Sequence, residues 1–243
     1  MAKAAPDGYT LLFAAAPFAL NVALGMKLPY DINKDFAPVS LVCAAPIIVF
    51  AHPSTPYKSL NDIVAAAKTS PAGRNHATAG AGSMPHLIGE GLKAKTGVNL
   101  QHIGYKGAAP ALQDAIAGTV PVMIDAYIPT GVQAVAGKLR AIAVASTRRL
   151  AVLPDTPTVV EQGFPELTGA GFYGLLAPAG TPAAIIDKLH KATVASVNGT
   201  DMRDRLVKQG YEVHASTPAE YAAYIRREID RWTPIVQAAG IKP

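Results

Sequence analysis

A single cysteine, Cys43, stands in a chain of 243 residues. One thiol cannot form an intramolecular disulfide, nor can it supply a cysteine-rich zinc site. Its surroundings, "SLVCAAP", predict a small core residue. Charge is scarce as well: 16% of residues are Asp, Glu, Lys or Arg, whereas 50% are apolar. That balance builds a sizeable core and argues against disorder. Nothing approaches the roughly 18 consecutive apolar residues of a membrane helix. The expectation is a globular chain that is not membrane-embedded. Its opening, "MAKAAPDG", has no apolar h-region, so no secretory signal is predicted in the chain as it stands.

Basic residues exceed acidic ones, 22 against 17. The excess is dispersed, however. Arg203, Arg205 and Lys208 lie among Asp201 and Asp204, and Arg226, Arg227 and Arg231 lie among Glu228 and Asp230, at spacings that suit solvated helix faces. No basic stripe is interleaved with aromatics, so a nucleic-acid partner is not expected. A mild attraction for small anions is. The six histidines (52, 76, 86, 102, 190 and 214) show no metal-binding spacing, and no cofactor motif is complete.

Apolar runs alternate with helical patterns. Residues 9–15, 36–42 and 46–52 read as buried strands. A helix follows with capping-box spacing at Ser59 and Asp62 and a proline stop at Pro71. A strand and helix around residues 76–97, a strand at "NLQHIGY", a helix closed by Gly118, a strand at "VPVMIDA", a helix near 129–137 and a strand at "LRAIAVAS" come next. Such alternation predicts a parallel sheet with helices on both faces. Beyond residue 150 the pattern predicts a short helix capped by Thr158 and Glu161, a strand at "GFYGLLAPAGTP", helices at 182–197 and 218 to about 238, the latter opened by Thr217-Pro218 with Glu220 at the box position, and a short strand at "GYEV". "MAKAAPDG" reads as the last turn of a helix, its Asp7-Gly8 turn feeding the first strand.

Chemistry concentrates at "HATAGAGSMPHL". Gly80, Ala81, Gly82 and Ser83 lie between a strand and a helix, where unpaired amides and the positive end of the helix dipole favour an anion. The loop is not a dinucleotide fingerprint, because Pro85 occupies the third glycine position, and it lacks the Gly-Lys-Ser/Thr ending of a phosphate loop. A plain strand-to-helix turn with Ser83 as N-cap accounts for it equally well. Ser83 is not in a nucleophile elbow. A Ser83–His86 hydrolase is nonetheless an alternative, beside a structural role for His86 within the turn. Asp125 ends an apolar strand, where open α/β sheets gather ligands; it reads either as a ligand contact or as an N-cap. Tyr127, Phe172 and Tyr173 lie near strand ends and serve as pocket walls or as core. Tyr105 and Lys106, adjacent in a strand, point oppositely and make a poor acid–base pair.

Six stretches carry a resemblance: "APDGYTLLFA", "LPYDINKDFAPVSLV", "AGAGSMPHL", "IGYKGAAPALQDAIAGTVPVMID", "LPDTPTVVEQGFPEL" and "GLLAPAGTP". In this order, along nearly the whole chain, they resemble the extracytoplasmic solute receptors of tripartite tricarboxylate transport systems, the Bug receptors. The resemblance implies a type II periplasmic binding-protein fold: two α/β lobes, a hinge and an interlobe ligand cleft. Lobe one would comprise residues 1–45 and 171–243, lobe two 46–170, with crossovers near Cys43-Ala44-Ala45 and Gly169-Ala170-Gly171. It also implies a periplasmic, monomeric receptor without catalytic residues, metal or cofactor. Its partners would be a small organic carboxylate or acidic amino acid and the membrane subunits of the transporter; a carboxylate sensor serving a partner protein is a further reading. Carried onto this chain, Gly80, Ala81, Gly82 and Ser83 would offer donors to a carboxylate and Asp125 would receive a polar or ammonium group. Ala15, Ala16, Pro17 and Phe18 would add contacts from the other lobe. Relative to the family the chain lacks a signal peptide, an opening strand and the proline- and glycine-rich loop that forms one jaw of the carboxylate pincer.

Overall fold

The Asp7-Gly8 turn forms as expected, with Tyr9 N–H donating to Asp7 Oδ1 at 3.0 Å and Gly8 at a φ of 86°. It leads to the first strand, β1 (Leu12–Ala15). The computed structural model describes residues 1–70 and 73–241; Pro71, the proline stop expected after the first long helix, lies outside the described residues. The opening residues make turns and bends instead of the expected helical turn. Pro6 has no N–H to donate, and Ala4 N–H reaches only Met1 O.

The elements that follow are α1 (Pro17–Ala23), β2 (Phe36–Ala51), α2 (Leu60–Lys68), β3 (Arg74–Thr78), α3 (Met84–Thr96), β4 (Leu100–Gly104), α4 (Ala108–Ile116) and β5 (Val122–Ala126). A π-type turn (Tyr127–Gly131) opens α5 (Val132–Val135), and β6 (Arg140–Val144), a 3-10 turn (Pro165–Leu167), β7 (Ala170–Pro178), α6 (Ala183–Asn198), α7 (Thr200–Lys208), β8 (Glu212–Val213) and α8 (Pro218–Ala239) complete the chain.

The chain divides into two compact units. One comprises Met1–Ala44 and Gly171–Pro234, the other Ala45–Ala170 with the described chain from Ile235 onward. In the first unit β7 lies between β1 and β2, and β1 pairs antiparallel with β7, Leu12 opposite Leu176 and Ala15 opposite Tyr173. Its core contains Leu20, Val39, Phe172, Tyr221 and Trp232. In the second unit the order is β6, β2, β5, β3, β4. Strands β5, β3 and β4 are mutually parallel, with His76 opposite both Val122 and His102. Ile48, Phe50, Ala77 and Met123 lie at the centre of its core.

The sheet is therefore mixed and not the parallel one expected. Alternation places strands near their sequence neighbours, but β2 is inserted between β5 and β6 and runs antiparallel to both. The two strands expected at 36–42 and 46–52 are one strand of 16 residues. "CAAP" does not interrupt it, because Pro46 forgoes a donor without forcing the extended chain to turn.

Capping boxes close where predicted: Ser59 with Asp62 at α2, and Thr217 with Glu220 at α8. The Thr158–Glu161 box also forms, at 2.7 and 3.1 Å, yet it caps a single turn instead of a helix. Gly163, at a φ of 87°, and Pro165 end it. Helix α7 carries Asp201, Arg203, Asp204, Arg205 and Lys208 on the solvated helix faces that their spacing suits, although its bounds are not predicted. None of its residues is buried, so it has no apolar stripe to announce it. Among the described residues no helix is long and apolar enough to cross a membrane.

Candidate ligand-binding loop

Parallel strands β3, β4 and β5 deliver three carboxyl ends to one edge of the second unit: Thr78, Gly104 and Ala126. Ligands of open α/β sheets gather at such edges. From β3 the chain turns through Gly80 (φ 152°) and Gly82 (φ 70°), conformations that side chains resist, into α3. Ser83 caps that helix: its hydroxyl accepts from His86 N–H at 3.4 Å and donates to Gly80 O at 2.7 Å. Beyond the cap, Met84 to Leu92 are all buried, so the helix start is anchored in the interior. Gly91 permits that depth, since a Cβ there would come within 2.9 Å of Leu167.

The loop's donors are mostly engaged internally. Gly80 N–H donates to Thr78 Oγ1 at 3.2 Å, Gly82 N–H to His86 Nδ1 at 3.0 Å, and Ser83 N–H to Gly80 O at 3.4 Å. Among the described residues only Ala81 N–H, of these four amides, has no acceptor. The expectation of four open amides is narrowed to one. Partly buried amides pair where they can, and here side chains from β3 and α3 supply the acceptors.

Three histidines form a cluster beneath this loop. His76 and His102 are register partners on β3 and β4, with ring centroids 5.3 Å apart. His86, from α3, stacks on His102 at 3.7 Å. His76 is buried, and neither ring nitrogen has a hydrogen-bond partner of ordinary geometry; the nearby Gln101 backbone offsets burial only slightly. Burial pushes all three toward the neutral form: His76 down to about 3, His86 and His102 each to about 4. The Lys93 charge opposes protonation of His76 and His86 further, whereas Glu90, buried and paired with Lys93 at 3.2 Å, partly offsets burial at His102. Among the described residues no group of His, Cys, Asp and Glu is arranged to hold a metal ion.

The Ser83–His86 hydrolase pair is not made. Ser83 Oγ donates to Gly80 O, and the His86 nitrogen facing the loop is taken by Gly82 N–H. A serine nucleophile needs that base within hydrogen-bond reach. Tyr105 hydroxyl donates to Asp114 Oδ2 at 2.6 Å, away from any pairing with Lys106.

Asp125 is buried on β5. Its Oδ2 accepts from Thr130 Oγ1 at 2.8 Å, and burial raises its pKa while that bond and the Ala126 amide act the other way. Asp125 does not cap the following turn; Ala126 holds the N-cap position. Tyr127 belongs to the core cluster of the second unit, its ring lying against Gly131.

Ala15, Ala16, Pro17 and Phe18 lie in the first unit, where β1 meets α1. Ala15, Pro17 and Phe18 line a cavity of about 600 Å³ with Phe13, Tyr30 and Phe36. Phe18 packs edge-on against Phe36 at 5.1 Å. Phe172 is fully buried in that unit, edge-on to Tyr224 at 5.1 Å, and offers no surface to a ligand. It is a core residue because its strand, β7, is interior in its sheet. Tyr173, on the other face, stacks on Phe13 at 5.9 Å.

The profile of the tripartite tricarboxylate transporter family receptor matches residues 1–241. Protein BugT of Bordetella pertussis is 32% identical over 244 aligned residues, covering 99% of this chain and 74% of BugT. Among solved structures, that of R. palustris Rpa4515 with adipate is 30% identical with a TM-score of 0.84, covering 100% of this chain and 81% of that one. MatC from Rhodopseudomonas palustris with bound malate is 34% identical with a TM-score of 0.80, covering 97% of this chain and 81% of that one.

Proposed function

This chain belongs to the tripartite tricarboxylate transporter family of receptors, solute-binding proteins and not enzymes with the periplasmic binding-protein fold, and on that premise we propose that it captures a small organic carboxylate and presents it to transporter subunits in the membrane. The observation that carries this reading is the loop before α3. An amide without an acceptor among the described residues, Ala81 N–H, lies two residues before Ser83, the N-cap of a helix of 13 residues, and at the carboxyl edge of three parallel strands. Helix starts of this kind favour anions through their dipole and amides. The relatives whose structures hold adipate and malate support a carboxylate as that anion.

In this proposal Asp125 contributes the polar group that distinguishes ligands, and Ala15–Phe18 contribute from the first unit. The two compact units are the two lobes, and the chain passes between them at Ala44-Ala45, at Ala170-Gly171 and again within α8 at Pro234-Ile235; the small residues of the first two permit a hinge. A ligand that binds the closed arrangement better than the open one shifts the population toward closure, with no bond made or broken. A periplasmic location and a monomeric state belong to the same proposal, by family.

A thermal-shift series against acetate, succinate, adipate, malate, citrate, aspartate and glutamate tests it. A ligand at about 100 times its Kd stabilises the fold by roughly 2.7 kcal/mol. A shift confined to one class of carboxylate is the expected result. A cooperative melt that none of them moves would overturn the reading.

A further inference from the structure

We propose that the stacked pair His86–His102 is the positioning device of this loop, His86 holding the Gly82 amide directly and His102 holding the Gly80 amide through Thr78, so that Ala81 N–H is left presented to the ligand. The inference rests on the carboxylate-receptor reading above for its ligand, but the latch itself is a property of the ligand-free chain.

The hydrogen bonds dictate the protonation states. His86 Nδ1 accepts from Gly82 N–H at 3.0 Å, so that nitrogen carries no proton. The ring proton is then on Nε2, 3.8 Å from Glu90 Oε1, and Glu90 is already engaged by Lys93. His102 acts through Thr78. The Thr78 hydroxyl has one proton and two lone pairs for three neighbours: Gly80 O at 3.2 Å, Gly80 N at 3.2 Å and His102 Nε2 at 2.6 Å. One assignment satisfies all of them. Thr78 donates to Gly80 O and accepts from Gly80 N–H and from His102 Nε2–H. His102 is then neutral or cationic without loss of its contact, whereas His86 must stay neutral.

The groups facing His86 keep it so. His102 covers one face of its ring, His76 lies behind His102, and Lys93 stands on the same helix. A proton on His86 would turn its acceptor into a donor aimed at the Gly82 donor. Holding both glycines removes ordering cost from ligand binding, which is what preorganisation contributes to affinity. His86 is a positioning residue in this scheme and touches no ligand.

The test begins with ligand-free full chain carrying isotope-labelled histidine. Long-range proton–nitrogen correlation at neutral pH is expected to show His86 as the Nε2–H tautomer, and the Gly82 amide is expected to be protected from hydrogen exchange. Protection should fall at least roughly tenfold in His86→Ala, about the worth of one hydrogen bond. Protection should be restored in His86→Asn, whose side-chain oxygen accepts where Nδ1 did and cannot titrate. An Nδ1–H tautomer, or equal Gly82 exchange in wild type and His86→Ala, overturns the latch. Calorimetric titration with acetate, succinate, citrate and glutamate then reads the consequence. His86→Ala is expected to weaken binding roughly tenfold and His86→Asn to recover most of it. A folded His86→Ala protein that binds as tightly as wild type overturns the positioning role. Wild-type protein that binds none of these four, nor adipate, malate or aspartate, overturns the receptor reading, and the exchange data alone then decide the latch.

Discussion

His86 lies nearly flat on His102, with ring centroids 3.7 Å apart and planes tilted by 20°. The contact ties the first turn of α3 to β4, although 16 residues separate the two rings along the chain. Both rings are neutral at ordinary pH because burial outweighs any pull toward the cation. Protons therefore bear on stability through this pair and through His76 beside it.

A histidine held neutral by burial binds fewer protons folded than unfolded. Stability is therefore fully present above the unfolded pKa of 6.5 and is lost as pH falls toward about 4 for His86 and His102, and toward about 3 for His76. Urea unfolding at stepped pH is expected to show this decline, with a slope of up to about 1.4 kcal/mol per pH unit from His76. His76→Leu should flatten the slope. It should also leave stability at neutral pH unchanged or higher, because both ring nitrogens are buried without a partner of ordinary geometry.

Gly89 faces the His76 ring so closely that a Cβ would collide with Nε2. Gly89→Ala should cost about 1–3 kcal/mol by overpacking. Combined with His76→Ala it should cost less than the sum of the two single changes. Additive costs in a double-mutant cycle would show that the clash is relieved elsewhere.

Asp125 has the opposite sign to the histidines. Burial raises its pKa, so its charged form burdens the fold at neutral pH and protonation on acidification relieves the burden. Thr130→Val removes the 2.8 Å donor and should destabilise by about 1–3 kcal/mol at neutral pH. The loss should shrink as pH falls through the pKa of Asp125, which parallel urea titrations of the variant and wild type would follow.

Cys43 is buried, and its thiol is pushed up to about 11 by that burial. Thiolate is the reactive form, so native protein should react slowly with an aromatic disulfide reagent at neutral pH and stoichiometrically once denatured. Rapid reaction of the native chain would place the thiol at an accessible surface.

Much of this was legible from local pattern. Ser59, Asp62, Thr217 and Glu220 announced their boxes because capping is decided within four residues. Ser83 as N-cap and a structural role for the His86 ring within the turn were also local, three and four residues apart. The extent of β2 and the bounds of α7 were not. A strand continues through "CAAP" only because partners on both sides pair with it, and a helix with no buried residue has no apolar stripe to mark its ends.

What the sequence determined by itself was therefore the α/β alternation, the glycine turn at Gly80 and Gly82, the helix caps and, through six ordered stretches, the receptor family. All of these depend on near neighbours or on the order of motifs. Tertiary structure alone decided that His76 and His102, 26 residues apart, are register partners, and that the loop's amides are already taken, leaving Ala81 N–H. It also decided that Phe172 belongs to a core and not to a pocket wall. Strand register and burial come from pairings across the fold, and no local spacing encodes them.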